Sequence, residues 1–306
     1  MIRATLVGLA VVGAAIPAQA EEVSASTSAP TPSPAPGGFD RFAAPTGQLG
    51  AGLNSSVDLR ARAFLELGFG HSEWSGPFDA HLNALSWILG GGYRITPNLE
   101  LVAMLPMGWA SIGAEDTSES GVGFGNLHLG VNYLSFGGPL RFMAGGAVQF
   151  GPWYKDYDSG ASLGVSLGHA LSGGQDAGLY LPETVTIVAP GRVEYEIDKL
   201  VLAGDAALGV HIPTDGGDVD LSIQLSPGAG YYVTPTAQVG LRLPFTWVPT
   251  RSGSSATYFA MEPYGRFDFG NLFLSTRLTL NIDDPYGFAF DNGKFWALHV
   301  GFGGAF

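Results

Sequence analysis

From Val57 onward the chain alternates apolar and polar residues in runs of about ten, the period of a strand with two unlike faces. Twelve runs can be read: 57–69, 82–95, 98–111, 122–136, 139–152, 183–197, 199–212, 220–233, 236–248, 257–269, 271–281 and 294–306. Turn-forming residues separate them at Thr96-Pro97, Gly137-Gly138, Asp198, Thr234-Pro235 and Gly270. Between these short turns lie longer connections at 70–81, 112–121, 153–182, 213–219, 249–256 and 282–293. Short turns on one side and long loops on the other predict an all-β, up-and-down antiparallel transmembrane β-barrel. An even strand count puts both ends of the barrel on the short-turn, periplasmic side.

The two faces carry different chemistry. Tyr93, Tyr133, Tyr195, Tyr231, Phe269 and Phe306 close their runs in outward phase at the short-turn edge. Phe69, Trp109, Phe150, Trp247 and Trp296 fall in the same phase at the loop edge, giving two aromatic girdles at the two water interfaces. With each phase set by its apolar residues, the strand charges point the other way. Arg60, Arg62, Arg94, Arg141, Arg192, Arg242, Arg266 and Arg277 are in inward phase. So are Glu66, Glu100, Glu194, Glu196, Asp205, Glu262 and Asp268, and no charge is in outward phase within a predicted strand. A cation on the lipid face costs about 2–4 kcal/mol at mid-membrane, so this exclusion is what lipid demands. Arg far outnumbers Lys in the inward set, as suits enclosed, multiply bonded ion pairs. The inward charges predict a charge-lined lumen that either selects a solute or closes on itself as an ion-pair network.

Composition sharpens the picture. Charged residues make up 13 % of the chain, about half the usual share of a soluble domain. The formal charge of -13 argues against nucleic acid as a partner. Cysteine is absent, which excludes disulfides and thiolate metal sites. Arg3, the apolar stretch Leu6 to Ile16 and Ala18-Gln19-Ala20 read as a cleavable signal peptide over 1–20. Residues 21–56 follow as a Ser/Pro/Ala-rich periplasmic tether and lead-in, and 57–306 form the barrel. The expected location is the outer membrane of a Gram-negative bacterium, as a monomer among lipid and lipopolysaccharide.

Five prolines (Pro106, Pro190, Pro227, Pro244 and Pro263) fall inside predicted strands and are expected at bulges, because proline removes a ladder donor and a barrel has no edge. Residues 90–109 align without gaps with 228–247, with eight of twenty positions identical, including Tyr93/Tyr231, Pro97/Pro235, Pro106/Pro244 and Trp109/Trp247. The offset is six strands, compatible with a duplicated half and equally with convergence on one turn chemistry.

Little in the sequence supports catalysis or a cofactor. His128, His211 and His299 are in inward phase, whereas His71, His81 and His169 lie in or near loops. Asp79 neighbours His81, and Asp215, Asp218 and Asp220 follow His211, but none makes a spacing distinct from acidic loop chemistry. The 215–220 stretch lacks the full calcium-loop pattern, so no metal is assigned. Glu115, Asp116, Glu119, Asp156, Asp158, Asp283 and Asp284 add to an acidic rim. The Gly-x-Gly groups lie in strands and open no helix, so no nucleotide cofactor is expected.

The closing run from Trp296 to Phe306, with Leu298, Val300 and Phe302 in one phase, resembles the signal that outer-membrane barrels present to their assembly machinery. YRITPNLELVAMLP (Tyr93–Pro106) and GVGFGNLHLGVNY (Gly121–Tyr133) resemble segments of outer-membrane transporters grouped with the meta-pathway of phenol degradation. Asn126 stands where that family often has Asp. The resemblance implies passage of small, often hydrophobic or aromatic compounds. The expected function is a passive outer-membrane channel for a small solute, with selectivity set by the inward charges and by an inward fold of the 153–182 loop. A closed structural or adhesive barrel is the alternative, and a hydrolase at the loop rim stands behind both.

Overall fold

The computed structural model describes residues 61–74, 80–114, 117–137, 139–151, 167–168, 171–172, 175–251, 257–282 and 295–306. The expected signal peptide and tether, and Arg60, lie outside these residues. Fourteen strand segments are formed: β1 (Ala61–Trp74), β2 (Ala80–Thr96), β3 (Leu99–Ala114), β4 (Thr117–Phe124), β5 (Leu127–Gly137), β6 (Leu140–Phe150), β7 (Thr184–Ile197), β8 (Leu200–Pro213), β9 (Asp220–Thr234), β10 (Ala237–Arg242), β11 (Phe245–Trp247), β12 (Thr257–Phe269), β13 (Leu272–Asn281) and β14 (Trp296–Ala305). β4 with β5, and β10 with β11, are the upper and lower parts of single interrupted strands, so the wall has twelve strands. Each pairs antiparallel with its sequence neighbour, and β1 closes the ring by pairing β14 along Arg62↔Ala305 to His71↔Trp296. The short helix α1 (Ala177–Tyr180) sits in the connection between β6 and β7.

Residues alternate in exposure along each strand, and the exposed ones are apolar. Leu89 and Leu208 are each 58 % exposed, whereas Glu262 is 0 % and Arg277 2 %. That inversion of the usual order identifies hydrocarbon as the outer solvent. Tyr93, Tyr133, Tyr195, Tyr231, Phe269 and Phe306 are all exposed on the outer surface, and Phe69 and Trp247 are exposed nearer the loops, where Trp109, Phe150 and Trp296 are half-covered.

Several strands outrun their expected limits. β3 and β4 continue pairing to Ala114↔Thr117, replacing the long loop expected at 112–121 with an extended hairpin. Ser118, Glu119 and Ser120 are exposed there; a ladder standing in water no longer needs an apolar face, so periodicity does not mark it. β1 likewise runs past the Phe69–Trp296 aromatic contact to an exposed Glu73, which is in outward phase. The rule of no outward charge within a strand therefore holds up to the aromatic band and lapses above it.

The prolines act differently from expectation at four of five sites. Only opposite Pro106 does the register slip, with Met104↔His128 below and Met107↔Phe124 above, one extra residue standing on the β4–β5 side. This bulge at Gly125-Asn126 switches the outward phase from Val122 and Phe124 to Leu129 and Val131. At Pro190, at Pro227 with Pro244, and at Pro263, pairing is interrupted and then resumes in the same register. These are missing rungs, not bulges, because proline withdraws one donor without inserting a residue.

Two further bulges support the internal echo. β2 carries an extra residue, Ile95, between Arg94↔Glu100 and Thr96↔Leu99. β9 carries Val233 between its pairings Tyr232↔Gln238 and Thr234↔Ala237. Ile95 and Val233 are equivalent in the alignment of 90–109 with 228–247 extended from sequence to backbone.

Candidate functional site

At mid-height the lumen carries a chain of alternating charges. Arg277 Nη2 donates to Glu66 Oε1 at 2.6 Å, and Nη1 to Glu262 Oε1 at 3.1 Å. Arg242 donates to Glu262 Oε2 and to Asp205 Oδ2, each at 3.0 Å. Arg192 donates to Asp205 Oδ1 at 2.7 Å and also pairs with Glu194. Thr279 adds a hydroxyl donor to Glu262 Oε1 at 2.7 Å. The sequence thus brings together Glu66, Arg277, Glu262, Arg242, Asp205, Arg192 and Glu194, from β1, β13, β12, β10, β8 and β7. All seven are buried.

Nearer the periplasm the remaining charges pair separately. Arg62 binds Glu100 through two contacts of 2.6 and 2.7 Å. Arg266 binds Asp268 at 2.8 Å, with its guanidinium 4.6 Å from the centre of the Phe273 ring. Arg141 faces Glu196 at 3.5 Å, and Arg94 is buried.

At mid-height the charged lining covers only part of the circumference. Phe64, Ile88, Val102, Met104, Leu134 and Met143 are also buried inside the barrel, on β1, β2, β3, β5 and β6. At mid-height the lumen is therefore two-faced, with the charged set on one side and an apolar set on the other. One border falls between the direct partners Met143 and Arg192, and β1 carries both kinds of residue, Phe64 and Glu66. The echo spans both faces: Met104 and Arg242 are equivalent positions, one in each.

Glycines let these side chains meet across intervening strands. A Cβ on Gly92 would stand 2.5 Å from Glu100 Oε1 and 2.9 Å from Arg62 Nε. One on Gly228 would stand 2.9 Å from Arg242 Cγ, on the way to Asp205 two strands away. Phe64 and Met104 similarly meet over Gly90.

The described part of the β6–β7 connection is folded into the lumen. Leu179 and Tyr180 are buried against Phe64, Ile88, Val102 and Met104, and Tyr180 bonds Ser86. Burial, reinforced by the Asp176 and Glu66 carboxylates, holds the Tyr180 phenol well above its ordinary pKa, so it stays neutral. Across the lumen, Gln175 Nε2 donates to Thr246 Oγ1 at 2.8 Å, and Ser226 donates to Gln175 Oε1 at 3.2 Å. Asp176 is buried within electrostatic reach of Arg277. Leu171 packs in a second apolar cluster with Leu82, Ala84, Ala110, Phe295 and Ala297, and its carbonyl accepts from His299 Nε2 at 3.0 Å.

Asn126, at the wall bulge, ties this segment down. Its Nδ2 donates to the carbonyls of Gly178, Leu181 and Thr184 at 2.7, 2.8 and 3.2 Å, and its backbone N–H to Leu179 O at 2.7 Å. The segment is bracketed by two left-handed residues, Asp176 (φ 58°) and Glu183 (φ 48°). Such conformations cost on the order of 1–3 kcal/mol each away from glycine, so the connection is held in its seat against local strain.

Among the described residues the histidines form no recognisable catalytic set. His211 is buried between Thr186 (2.9 Å at Nδ1) and Ser222 (2.8 Å at Nε2). The Asp220 carboxylate is taken by Thr250 at 2.7 Å and by Arg251 at 2.6 Å. His128 bonds Gln149 at 3.0 Å. His81 is exposed, and His71 bonds Asn83 at 2.8 Å. Asp79, Glu115, Asp116, Asp156, Asp158, His169, Asp283 and Asp284 lie outside the described residues. Among the described residues no group of three or more His, Asp or Glu side chains is arranged to hold a metal ion.

The closed antiparallel ring is similar in fold to a solved structure, an outer membrane channel from Pseudomonas putida F1. The two share 13 % identity at a TM-score of 0.52, over 82 % of this chain and 97 % of that one. This is an outer-membrane β-barrel. It belongs in the bacterial outer membrane. The translocator domain of the autotransporter NalP from Neisseria meningitidis matches at 10 % identity and a TM-score of 0.42, over 82 % of this chain and 91 % of that one. The KdgM porin matches at 9 % and 0.40, over 79 % and 99 %. No protein-family model matches the chain, and no curated protein does.

Proposed function

We propose that this barrel is a passive channel for a small solute, and that the inward-folded connection around α1 is the removable occupant of its path. One observation carries this reading. Among the described residues, the β6–β7 connection enters the mid-lumen, with Leu179 and Tyr180 on the apolar wall and Gln175 bonded to Thr246 and Ser226. A twelve-stranded ring is wider than the eight-stranded barrels that side chains alone can fill. The similar Pseudomonas putida structure is described as a channel, which favours the same role here. The inward Arg and carboxylate residues would then act as the selective layer, and the exposed aromatic bands would fix its height in the bilayer.

The alternative, a closed structural or adhesive barrel, is favoured by the depth of the ion-pair chain, where Glu262 has no exposed surface. Planar-bilayer recording of the full chain separates the two. Discrete current steps are expected, becoming larger when Leu179→Ala and Tyr180→Ala together loosen the seat. Silence of both proteins, with each migrating as a folded barrel, would overturn the channel reading. A rim hydrolase comes third: replacing His81 or His211 would abolish an activity that the channel does not need.

A further inference from the structure

We propose that the solute is a small neutral carboxamide, recognised where the wall now holds the side-chain amide of Gln175. The inference rests on the channel reading, in which the α1 segment leaves the path, and adds the chemistry of what takes its place. Gln175 belongs to that segment, and the wall binds its amide at three points. Nε2 donates to Thr246 Oγ1 at 2.8 Å and to the Phe245 carbonyl at 3.2 Å, and Ser226 Oγ donates to Oε1 at 3.2 Å. A carbonyl can only accept, so the Phe245 contact fixes which end of the amide carries the hydrogens. β9 and β11 therefore present two acceptors and one donor, placed for an NH2 and a C=O on one carbon.

The site is part of the wall. Ser226 is 1 % exposed and Thr246 has no exposed surface. Uncharged polar residues continue beside them: Ser222 and Gln224 are buried in the same inward phase of β9, and Gln224 is the direct partner of Thr246. The charge next to the site is already matched. Asp205, the direct partner of Ser226, has one oxygen on Arg192 and the other on Arg242. A neutral ligand leaves that balance intact.

Withdrawal of Gln175 strips Thr246, Phe245 and Ser226 of these contacts inside the wall. Buried polar atoms left without a partner are costly, so a site that needs an N–H rejects an analogue lacking it. A carboxamide restores all three bonds at once, whereas an ester of the same shape restores only the one from Ser226. Gln175 is thus an internal stand-in for the head of the solute. A turn presents it: its N–H donates to Ser172 O at 3.2 Å, and Ser172 Oγ donates to its backbone carbonyl.

The test uses the full chain folded in detergent, with calorimetric titration of benzamide and of methyl benzoate, which share a ring and differ at the amide. Gln175→Ala empties the site and should bind benzamide about tenfold more tightly than methyl benzoate, or better. Adding Thr246→Val should cut that preference to about threefold or less, with the affinity for methyl benzoate unchanged. The parent protein should show the same preference at lower affinity, because Gln175 competes, so the comparison stands whether or not the variant folds. Failure to bind benzamide, equal affinity for the two compounds, or an amide preference that Thr246→Val leaves intact in either background would overturn the proposal. Because this measurement needs no current, its failure is distinct from failure of the channel reading. An electrically silent barrel that prefers the amide through Thr246 refutes only the channel, and a conducting barrel with no amide preference refutes only the carboxamide.

Discussion

Arg62 on β1 holds Glu100 on β3 in a two-point ion pair that passes directly over Gly92 of the strand between them. Any side chain at position 92 occupies the space of that pair. Gly92→Ala should destabilise the barrel by about 1–3 kcal/mol through overpacking, read from urea unfolding in lipid vesicles. Arg62→Gln combined with Gly92→Ala should cost less than the two changes summed, because both act on one contact.

Arg277 is the second link of the longest chain of charges, shared between Glu66 and Glu262. Arg277→Met leaves two buried carboxylates short of a partner and should lower stability by about 3–5 kcal/mol. Thr279→Val removes a single hydroxyl donor from Glu262 and should cost about 1 kcal/mol in the same unfolding measurement.

Asn126 donates one amide to three carbonyls, a task for which a carboxylate has no proton. Asn126→Asp should loosen the α1 segment while leaving the wall intact. The expected result is faster proteolytic cleavage between residues 167 and 183 in the folded protein, with unchanged migration as a folded barrel. Cleavage at the parent rate would show that the amide does not hold the segment.

Leu208 is 58 % exposed at mid-wall. Leu208→Arg should destabilise the barrel by about 2–4 kcal/mol in vesicles. The same change in an exposed position of a water-soluble sheet would alter stability by roughly half a kcal/mol or less. The comparison reads directly which solvent the outer face meets.

The strands were legible because lipid enforces a strict period of two, and a charge in the wrong phase is expelled from the wall. The bulge at Gly125-Asn126 was not legible, because both phases around it are apolar enough to pass as one strand. The apolar half of the lumen was missed for a related reason. Charges such as Arg62, Glu66 and Glu100 mark the inward phase, whereas Phe64, Val102 and Met104, which share that phase, were not counted as lining. The inward position of the described residues 175–183 of the β6–β7 connection could be anticipated from its length. Its seat on Phe64 and Met104 depends on glycines two strands apart and has no local signature.

The pairing of β1 with β14 has a consequence for biogenesis. Their partners are separated by more than two hundred residues of chain, from Arg62 to Ala305. No intermediate lacking β14 can satisfy that margin of the opening strand, so the cylinder is sealed only once β14 is in place. Until that moment the nascent sheet keeps two raw margins, and guarding them falls to whatever carries it across the periplasm.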